Sequence, residues 1–487
     1  MELTRLLSQV RYEVIQGTVH TPAEGVTNDT RDLKRGDVYV CIAGYGTDGH
    51  GFVPEAVEKG ASVIVAEKEI TCPPGVTVIR VSDTRWALAA MSAAARGYPA
   101  EHLRVIGITG TKGKTTTAWM LRDILRMEEG ACGLVGTVET DTGLRRFQST
   151  RTTPESCQLM KYFQEMREAG MASAVMEVSS QALKMERTAC IPFRMGIFTN
   201  LGEDHIGPGE HDSMEEYRRC KHLLFLQCET GLGNIDDPCY GEIFDRTGCR
   251  RVTFGTGEGA KWRAVKIKEE TRGGRIGMSF EIEGREGTFF IPLPGRYNVY
   301  NALAAAAAAF ELGARGETVR KALSRIRVPG RMELVSSSGG RTIFLDYAHN
   351  AMSLSCALST LRGFARGRLI VLFGCGGNRS RQRRREMGET AGRMADETFI
   401  TSDNPREERP EDIIADIVEG MRRTEGTYTV IPDRREAIRC ALERSGSGDV
   451  VLVAGKGHET YQEIQGVRYP MDDRETILDA LRGEKDG

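Results

Sequence analysis

Seven residues, Gly110–Thr116, read GTKGKTT and bring glycines, lysines and threonines into one short loop. Glycines at such spacing let backbone N–H groups converge on phosphate oxygens, and a following helix N-terminus adds a favourable dipole. Lys114 would reach the β- and γ-phosphates, and the Thr115 hydroxyl would ligate Mg²⁺. The strict phosphate-loop spacing asks for glycine at position 108, where Ile108 stands, so this is a variant loop. Glu177 ends the apolar run AVMEV, and Asp204-His205 follows a second such run. Alone, each reads as a solvated strand end or a structural His. Three consecutive strands delivering metal- or phosphate-compatible residues to one sheet edge point instead to a nucleotide site. Lys221 shares helical spacing with Tyr217, Leu224 and Phe225 and by itself reads as a solvated lysine on an amphipathic helix. The run RSRQRRR at 379–385 holds five arginines but no interleaved aromatics, so a solvated face is preferred to a nucleic-acid patch.

The elements that must position these residues alternate. Leu103–Thr109 (LRVIGIT) predicts a buried strand and Thr115–Met127 a helix behind the loop. Ala174–Val178 and Met195–Thr199 predict further strands. Arg85–Arg96 predicts an earlier helix ending near Gly97 and Pro99, which suggests a boundary at about 102. Residues 251–293 change to period-two alternation with a Gly273-Gly274 turn and predict an antiparallel portion. Asn298–Leu312 predicts a helix, and Pro329-Gly330 a second boundary. Strands at Thr342–Leu345, Leu369–Phe373, Glu397–Thr401 and Val450–Ala454 repeat the α/β theme. The expected fold is α/β with three domains, 1–102, 103–329 and 330–487.

Composition bounds the possibilities. The chain has 487 residues, enough for about three domains at ~100–200 residues each. Sixty-six basic against 68 acidic residues leave a net charge of -2, which disfavours a globally basic nucleic-acid binder. None of the 12 cysteines forms a CxxC pair, so zinc ribbons are unsupported and reduced cytosolic thiols are expected. The start, MELTRLLSQVRYEV, lacks the apolar core of a signal peptide. The longest wholly apolar run, Leu303–Phe310, has 8 residues, so no membrane span and a soluble cytoplasmic location are expected.

Ten ordered segments resemble the Mur ligases, the ATP-dependent amide-forming ligases of peptidoglycan precursor synthesis. They are GTKGKTT (110–116), TTP (152–154), EVSSQAL (177–183), TNLGEDH (199–205), YRRCKHLLF (217–225), NVYNALAA (298–305), GRME (330–333), DYAHN (346–350), DNPR (403–406) and GKGHE (455–459). The resemblance implies an N-terminal UDP-binding domain, a central P-loop doubly wound domain that binds ATP, and a C-terminal Rossmann-like domain that binds the incoming amino acid. Within the family, DNPR with GKGHE looks like the branch that adds meso-2,6-diaminopimelate to UDP-MurNAc-L-Ala-D-Glu through an acyl phosphate. The resemblance assigns Lys114, Glu177, His205 and Lys221 as catalytic. ATP falls to Gly110, Thr111, Lys112, Gly113, Lys114, Thr115, Thr116, Asn301, Arg331 and Asp346. Two Mg²⁺ ions fall to Thr115, Glu177, His205 and Lys221, the last carbamylated by CO₂. The muramyl peptide falls to Asn28, Thr30, Thr152, Thr153, Ser179 and Arg187, with Asp29 and Arg31 in the uridine segment. Diaminopimelate falls to Arg384, Asp403, Asn404, Pro405, Arg406, Gly455 and Glu459, with the planar Arg406 fork on its far carboxylate. Because Arg331 and Asp346 come from the third domain, domain motion over ATP is expected.

The expected partners are these small molecules, with a monomeric chain, no nucleic acid and no membrane. The chain departs from the family pattern at Gln181, where His is usual, at Asp204–Asp212, at Asn350-Ala351 and at Lys112. The alternatives are a divergent Mur-like ligase using L-lysine or another amino acid or acceptor, and a non-catalytic nucleotide-binding regulator.

Overall fold

A computed structural model describes residues 1–44, 46–204, 206, 207, 210–337 and 339–483. It divides into two compact units. One holds Met1–Val265, Ile282–Glu286 and Tyr300–Ala322; the other holds Lys266–Glu281, Gly287–Val299 and Leu323–Gly487.

The first unit opens with a five-stranded sheet in the order Tyr12–Gln16, Thr77–Val81, Val63–Ala66, Val38–Val40, Val26–Thr27. Only the Tyr12–Gln16 edge runs antiparallel. The helix Thr84–Ala95 packs beside it. Its start is set by Asp83, whose carboxylate accepts from the N–H groups of Arg85 and Trp86 at 2.8 and 3.0 Å.

A larger parallel array follows, in the order Arg250–Gly255, Cys228–Asn234, Phe193–Phe198, Arg104–Thr109, Ser173–Glu177, Gly133–Val135. Its central strands are buried on both faces, which explains their unbroken apolar runs. Register sets Glu177 beside Ile108 and Phe198 beside Thr109. The carboxyl ends of three neighbouring strands therefore meet at the loop that follows Thr109. Arg250–Gly255, expected in the antiparallel portion, instead pairs parallel with Cys228–Asn234. The connection carries the short helix Tyr240–Ile243, a crossover long enough to return the chain in the same sense. Antiparallel pairing appears further on, where Met278–Glu281 faces Thr288–Ile291 in the second unit. Gly273 and Gly274 both take positive φ (58° and 75°), as a two-residue hairpin turn requires.

The second unit is built on a six-stranded sheet, order Glu333–Ser336, Thr342–Asp346, Val450–Ala454, Leu369–Phe373, Glu397–Ile400, Tyr428–Val430. Only the first strand is antiparallel. Leu354, Met387 and Ile413, from three helices, cover one face, while Ile438 and Ile477 cover the other. Under that second face lies a dry ion pair. Arg434 donates to Asp473 at 2.8 and 2.7 Å, with both residues at most 2% exposed, and also donates to the Ala454 carbonyl at 2.9 Å. Removing one member of such a pair strands a buried charge. Arg434→Leu is expected to lower unfolding free energy by about 3–5 kcal/mol. Urea denaturation checks this, and an unchanged midpoint would mean the pair is not desolvated in solution.

Candidate active site

Gly113 closes the loop at φ 85° and forms the N-cap of the helix Lys114–Glu129. A Cβ there would lie 2.2 Å from Asn301 Oδ1, so Asn301 lies directly against the loop and only glycine fits. Loop and neighbouring strand are stitched together. The Lys112 N–H donates to Asn200 Oδ1 at 2.9 Å, and Thr199 Oγ1 donates back to the Lys112 carbonyl at 2.7 Å. Lys114 folds over its own loop, Nζ donating to the carbonyls of Gly110 at 2.7 Å and Thr111 at 3.2 Å. The Lys112 ammonium reaches Asp204 at 2.9 Å.

Glu177 is 1% exposed and receives three donors. Thr115 Oγ1 lies 2.9 Å from Oε2, Thr137 Oγ1 lies 3.0 Å from the same oxygen, and the Thr137 N–H lies 2.7 Å from Oε1. The structure thus brings Thr115 and Glu177 into direct contact. A hydroxyl and a carboxylate offer the hard oxygen donors that Mg²⁺ prefers, so this pair fits the ion. His205 lies outside the described residues. Among the described residues no three His, Cys, Asp or Glu side chains cluster as a metal site.

Lys221 is not the solvated lysine its helical spacing allows. It is 1% exposed, with Nζ 4.1 Å from the centre of the Tyr217 ring. Burial, reinforced by the positive charge of Lys114, pushes its ammonium well below the usual lysine range, which favours the neutral amine. The Tyr217 hydroxyl in turn meets Thr111 Oγ1 at 3.1 Å, tying this helix to the loop. His211, from the divergent 204–212 segment, is buried, with Nε2 2.8 Å from Ser180 Oγ.

Of the residues assigned to the muramyl peptide, Thr152, Thr153 and Ser179 gather beside Glu177. Thr153 Oγ1 donates to the Glu177 carbonyl at 2.9 Å and accepts from the Ser179 N–H at 3.0 Å. Thr152 Oγ1 meets Thr137 Oγ1 at 3.0 Å. Arg187 is turned toward Glu155 at 2.9 Å and the Thr153 carbonyl at 3.2 Å. Asn28 Oδ1 accepts from the Cys157 thiol at 3.4 Å, and Thr30 is buried. Gln181 lies on the helix Ser180–Lys184, which Ser179 caps through the Ala182 N–H.

In the second unit the Asp346 carboxylate accepts from the Met332 N–H at 2.7 Å, and the Arg331 guanidinium stacks on Tyr347 at 4.5 Å. The 403–406 turn is held by a buried network. Asn404 Nδ2 donates to Glu459 Oε2 at 2.7 Å, while Asn404 Oδ1 accepts from Lys456 Nζ at 2.9 Å and the Glu463 N–H at 3.0 Å. Asp403 Oδ1 accepts from the Asn404 N–H at 2.7 Å. Arg406 takes φ 53°, and its strained backbone is held by the hairpin of Tyr461–Ile464 and Val467–Pro470. Its N–H donates to the Glu463 carbonyl at 2.9 Å and its carbonyl accepts from Gln465 at 2.7 Å. Arg384, assigned to diaminopimelate, lies under the same turn. It is 1% exposed and its guanidinium already grips Asp416 at 3.0 Å and Glu408 at 2.7 Å.

Thr137, Asn200 and Lys456 join these networks without a role in the sequence reading; Asn200 stands within TNLGEDH and Lys456 within GKGHE, whereas Thr137 has no such signal.

His458 sits 5.1 Å from the Tyr347 ring, with Nδ1 buried and unpartnered. Burial holds its pKa down to about 3, with Arg331 and Lys456 adding repulsion. Unfolded, an imidazole takes its proton near pH ~6.5. Between those values the unfolded chain binds the extra proton, so stability is full above pH ~6.5 and is lost toward pH ~3. His458→Gln is expected to flatten the fall of the urea midpoint between pH 7 and 4. Equal slopes for both proteins would show that His458 titrates normally.

Three family models match the chain. They are the Mur ligase family, catalytic domain, over 22–98, the Mur ligase middle domain over 108–309, and the Mur ligase, glutamate ligase domain, over 330–457. A relative in Clostridium perfringens (strain 13 / Type A) is 38% identical, covering 99% of this chain and 100% of the relative. One in Caldanaerobacter subterraneus subsp. tengcongensis is 40% identical, with 99% of each chain covered. Both are described as UDP-N-acetylmuramoyl-L-alanyl-D-glutamate--2,6-diaminopimelate ligases. A solved structure described in the same terms superposes with a TM-score of 0.70 at 26% identity, covering 100% of this chain and 99% of that one. A folylpolyglutamate synthase from Mycobacterium tuberculosis shares the fold at a TM-score of 0.60 and 17% identity, over 77% of this chain and 92% of its own.

Proposed function

The chain belongs to the Mur ligase family, and from that premise we propose that it joins meso-2,6-diaminopimelate to UDP-MurNAc-L-Ala-D-Glu at the expense of ATP; its relatives are named as 2,6-diaminopimelate ligases of that acceptor. The new amide forms on the γ-carboxylate of D-Glu. The observation that carries the choice of amino acid is Arg406, a guanidinium held on a strained backbone in the DNPR turn beside Asn404.

The chemistry follows from the residues. A carboxylate and a triphosphate repel, so their approach needs fixed cations and donors. The Gly110–Thr116 amides and Lys114 take the phosphates; Lys114 must leave the Gly110 carbonyl to do so. The γ-phosphoryl group passes to the D-Glu carboxylate, giving an acyl phosphate and ADP. The amine of the incoming amino acid attacks that carbonyl, and phosphate leaves from the tetrahedral adduct. Thr115 and Glu177, with His205 and a carbamate on Lys221, would hold Mg²⁺, which neutralises charge on the phosphates. The carbamate forms when the neutral Lys221 amine adds to CO₂ and releases one proton. Thr152, Thr153, Ser179 and Arg187 would orient the muramyl peptide, and Asn28 and Thr30 its uridine. Asn301, Arg331 and Asp346 would contact ATP. The incoming amino acid would meet Asp403, Asn404, Arg406, Gly455 and Glu459. Arg384, being spent on Asp416 and Glu408, would act by holding the 403–408 turn rather than by free contact. No helix among the described residues is long and apolar enough to cross a membrane. A monomer acting in the cytoplasm is part of this reading.

The test is phosphate release from ATP and Mg²⁺ with UDP-MurNAc-L-Ala-D-Glu, comparing meso-diaminopimelate with L-lysine. Turnover with diaminopimelate alone is expected, with kcat/KM falling about 100-fold in Arg406→Leu as a bidentate charged contact is lost. Turnover with lysine alone would overturn the assignment of the amino acid.

A further inference from the structure

Beside the 403–406 turn the second unit buries a cation to which the reaction gives no role. Lys456 is fully buried. Its ammonium donates to Asn404 Oδ1 at 2.9 Å and lies 3.3 Å from Glu459 Oε2, with the Tyr461 ring centre 5.6 Å away. A charge so deep is kept only where it is paired and hydrogen-bonded. Two consequences follow locally. With its oxygen taken by Lys456 and the Glu463 N–H, Asn404 must turn its amide nitrogen to Glu459. Glu459, which also accepts from the Tyr347 hydroxyl at 3.3 Å, is left with its charge compensated from within the protein.

We propose that Lys456 is a specificity-determining residue that selects the charge of the amino acid's far end. This rests on the diaminopimelate reading above. The far end of diaminopimelate is a zwitterion, whereas that of lysine is a bare ammonium. Because Lys456 already pairs with Glu459, that carboxylate is not free to hold an isolated cation, and Arg406 repels one. A neutral head with its own carboxylate suits both conditions. Selection then comes from repulsion as much as from attraction. Lys456 acts through Glu459 and Asn404, so it is a positioning residue and not a catalytic one.

Removing the charge while keeping length and burial should leave Glu459 seeking a cation, which the lysine ε-ammonium can supply. In Lys456→Met, the ratio of kcat/KM for L-lysine over meso-diaminopimelate is expected to rise about tenfold or more. The change should appear in KM for the amino acid, with KM for ATP unmoved. The double variant Lys456→Met/Glu459→Gln restores neutrality and should lose the gain. Lys456→Gln, which keeps a donor to Asn404 Oδ1 without the charge, should raise the same ratio in the same direction. That single variant decides the matter even if Lys456→Met fails to fold. An unchanged lysine ratio in Lys456→Met or in Lys456→Gln overturns the inference while wild-type turnover with diaminopimelate stands. Wild-type turnover with neither amino acid overturns the functional reading, and the inference with it.

Discussion

Lys114→Met should reduce phosphate release about 10³-fold, because the charge it brings to the β- and γ-phosphates is needed most as the phosphoryl group leaves. The fold should survive. Lys114 is held by two carbonyls of its own loop, and methionine preserves the aliphatic stem. The signature is therefore a collapse in kcat with an unchanged urea midpoint. A variant that kept more than a tenth of wild-type turnover would show that the loop amides alone hold the phosphates.

The second large effect belongs to Lys221. Its amine is buried and biased toward the neutral form, the form that adds to CO₂. Lys221→Ala should cost about 100-fold in kcat as a ligand-orienting group is lost, while ATP still binds. Wild-type enzyme held in CO₂-free buffer at mildly acid pH should lose activity and regain it with bicarbonate. Acid pH matters because carbamate formation releases a proton, so lower pH drives its reversal. The alanine variant should ignore bicarbonate. Wild-type activity indifferent to CO₂ would remove the carbamate from the mechanism.

What could be read beforehand depended on whether chemistry was local in the chain. The phosphate loop is contiguous, and its flanking strand and helix announce themselves by apolar period, so its place at a sheet edge was legible. Glu177 was legible because it closes a buried strand parallel to Arg104–Thr109. Thr137 was not: it meets Glu177 only through sheet order, from a turn without a distinctive composition. Lys221 shows the limit of helical spacing, since the pattern that places Tyr217 and Leu224 inside says nothing of what roofs the polar face. Arg250–Gly255 departs from the antiparallel expectation because alternation reports that a strand has two unlike faces, not which way its neighbour runs. Arg384 stands apart from its run of arginines only through the family resemblance; its burial against Asp416 needs the third dimension.

The dry pair beneath the second sheet reaches further than stability. Arg434 holds the carbonyl of Ala454, the residue immediately before Gly455, and Arg434 is itself held by Asp473 at the start of the last helix, Asp473–Gly483. That helix supplies none of the residues proposed to touch a substrate. Yet clipping the chain at Pro470, or swapping its tail for that of a relative without an acid at this place, would unmoor the GKGHE turn from below. Chimaeras and shortened versions of this protein should be cut after Gly483, not before Asp473.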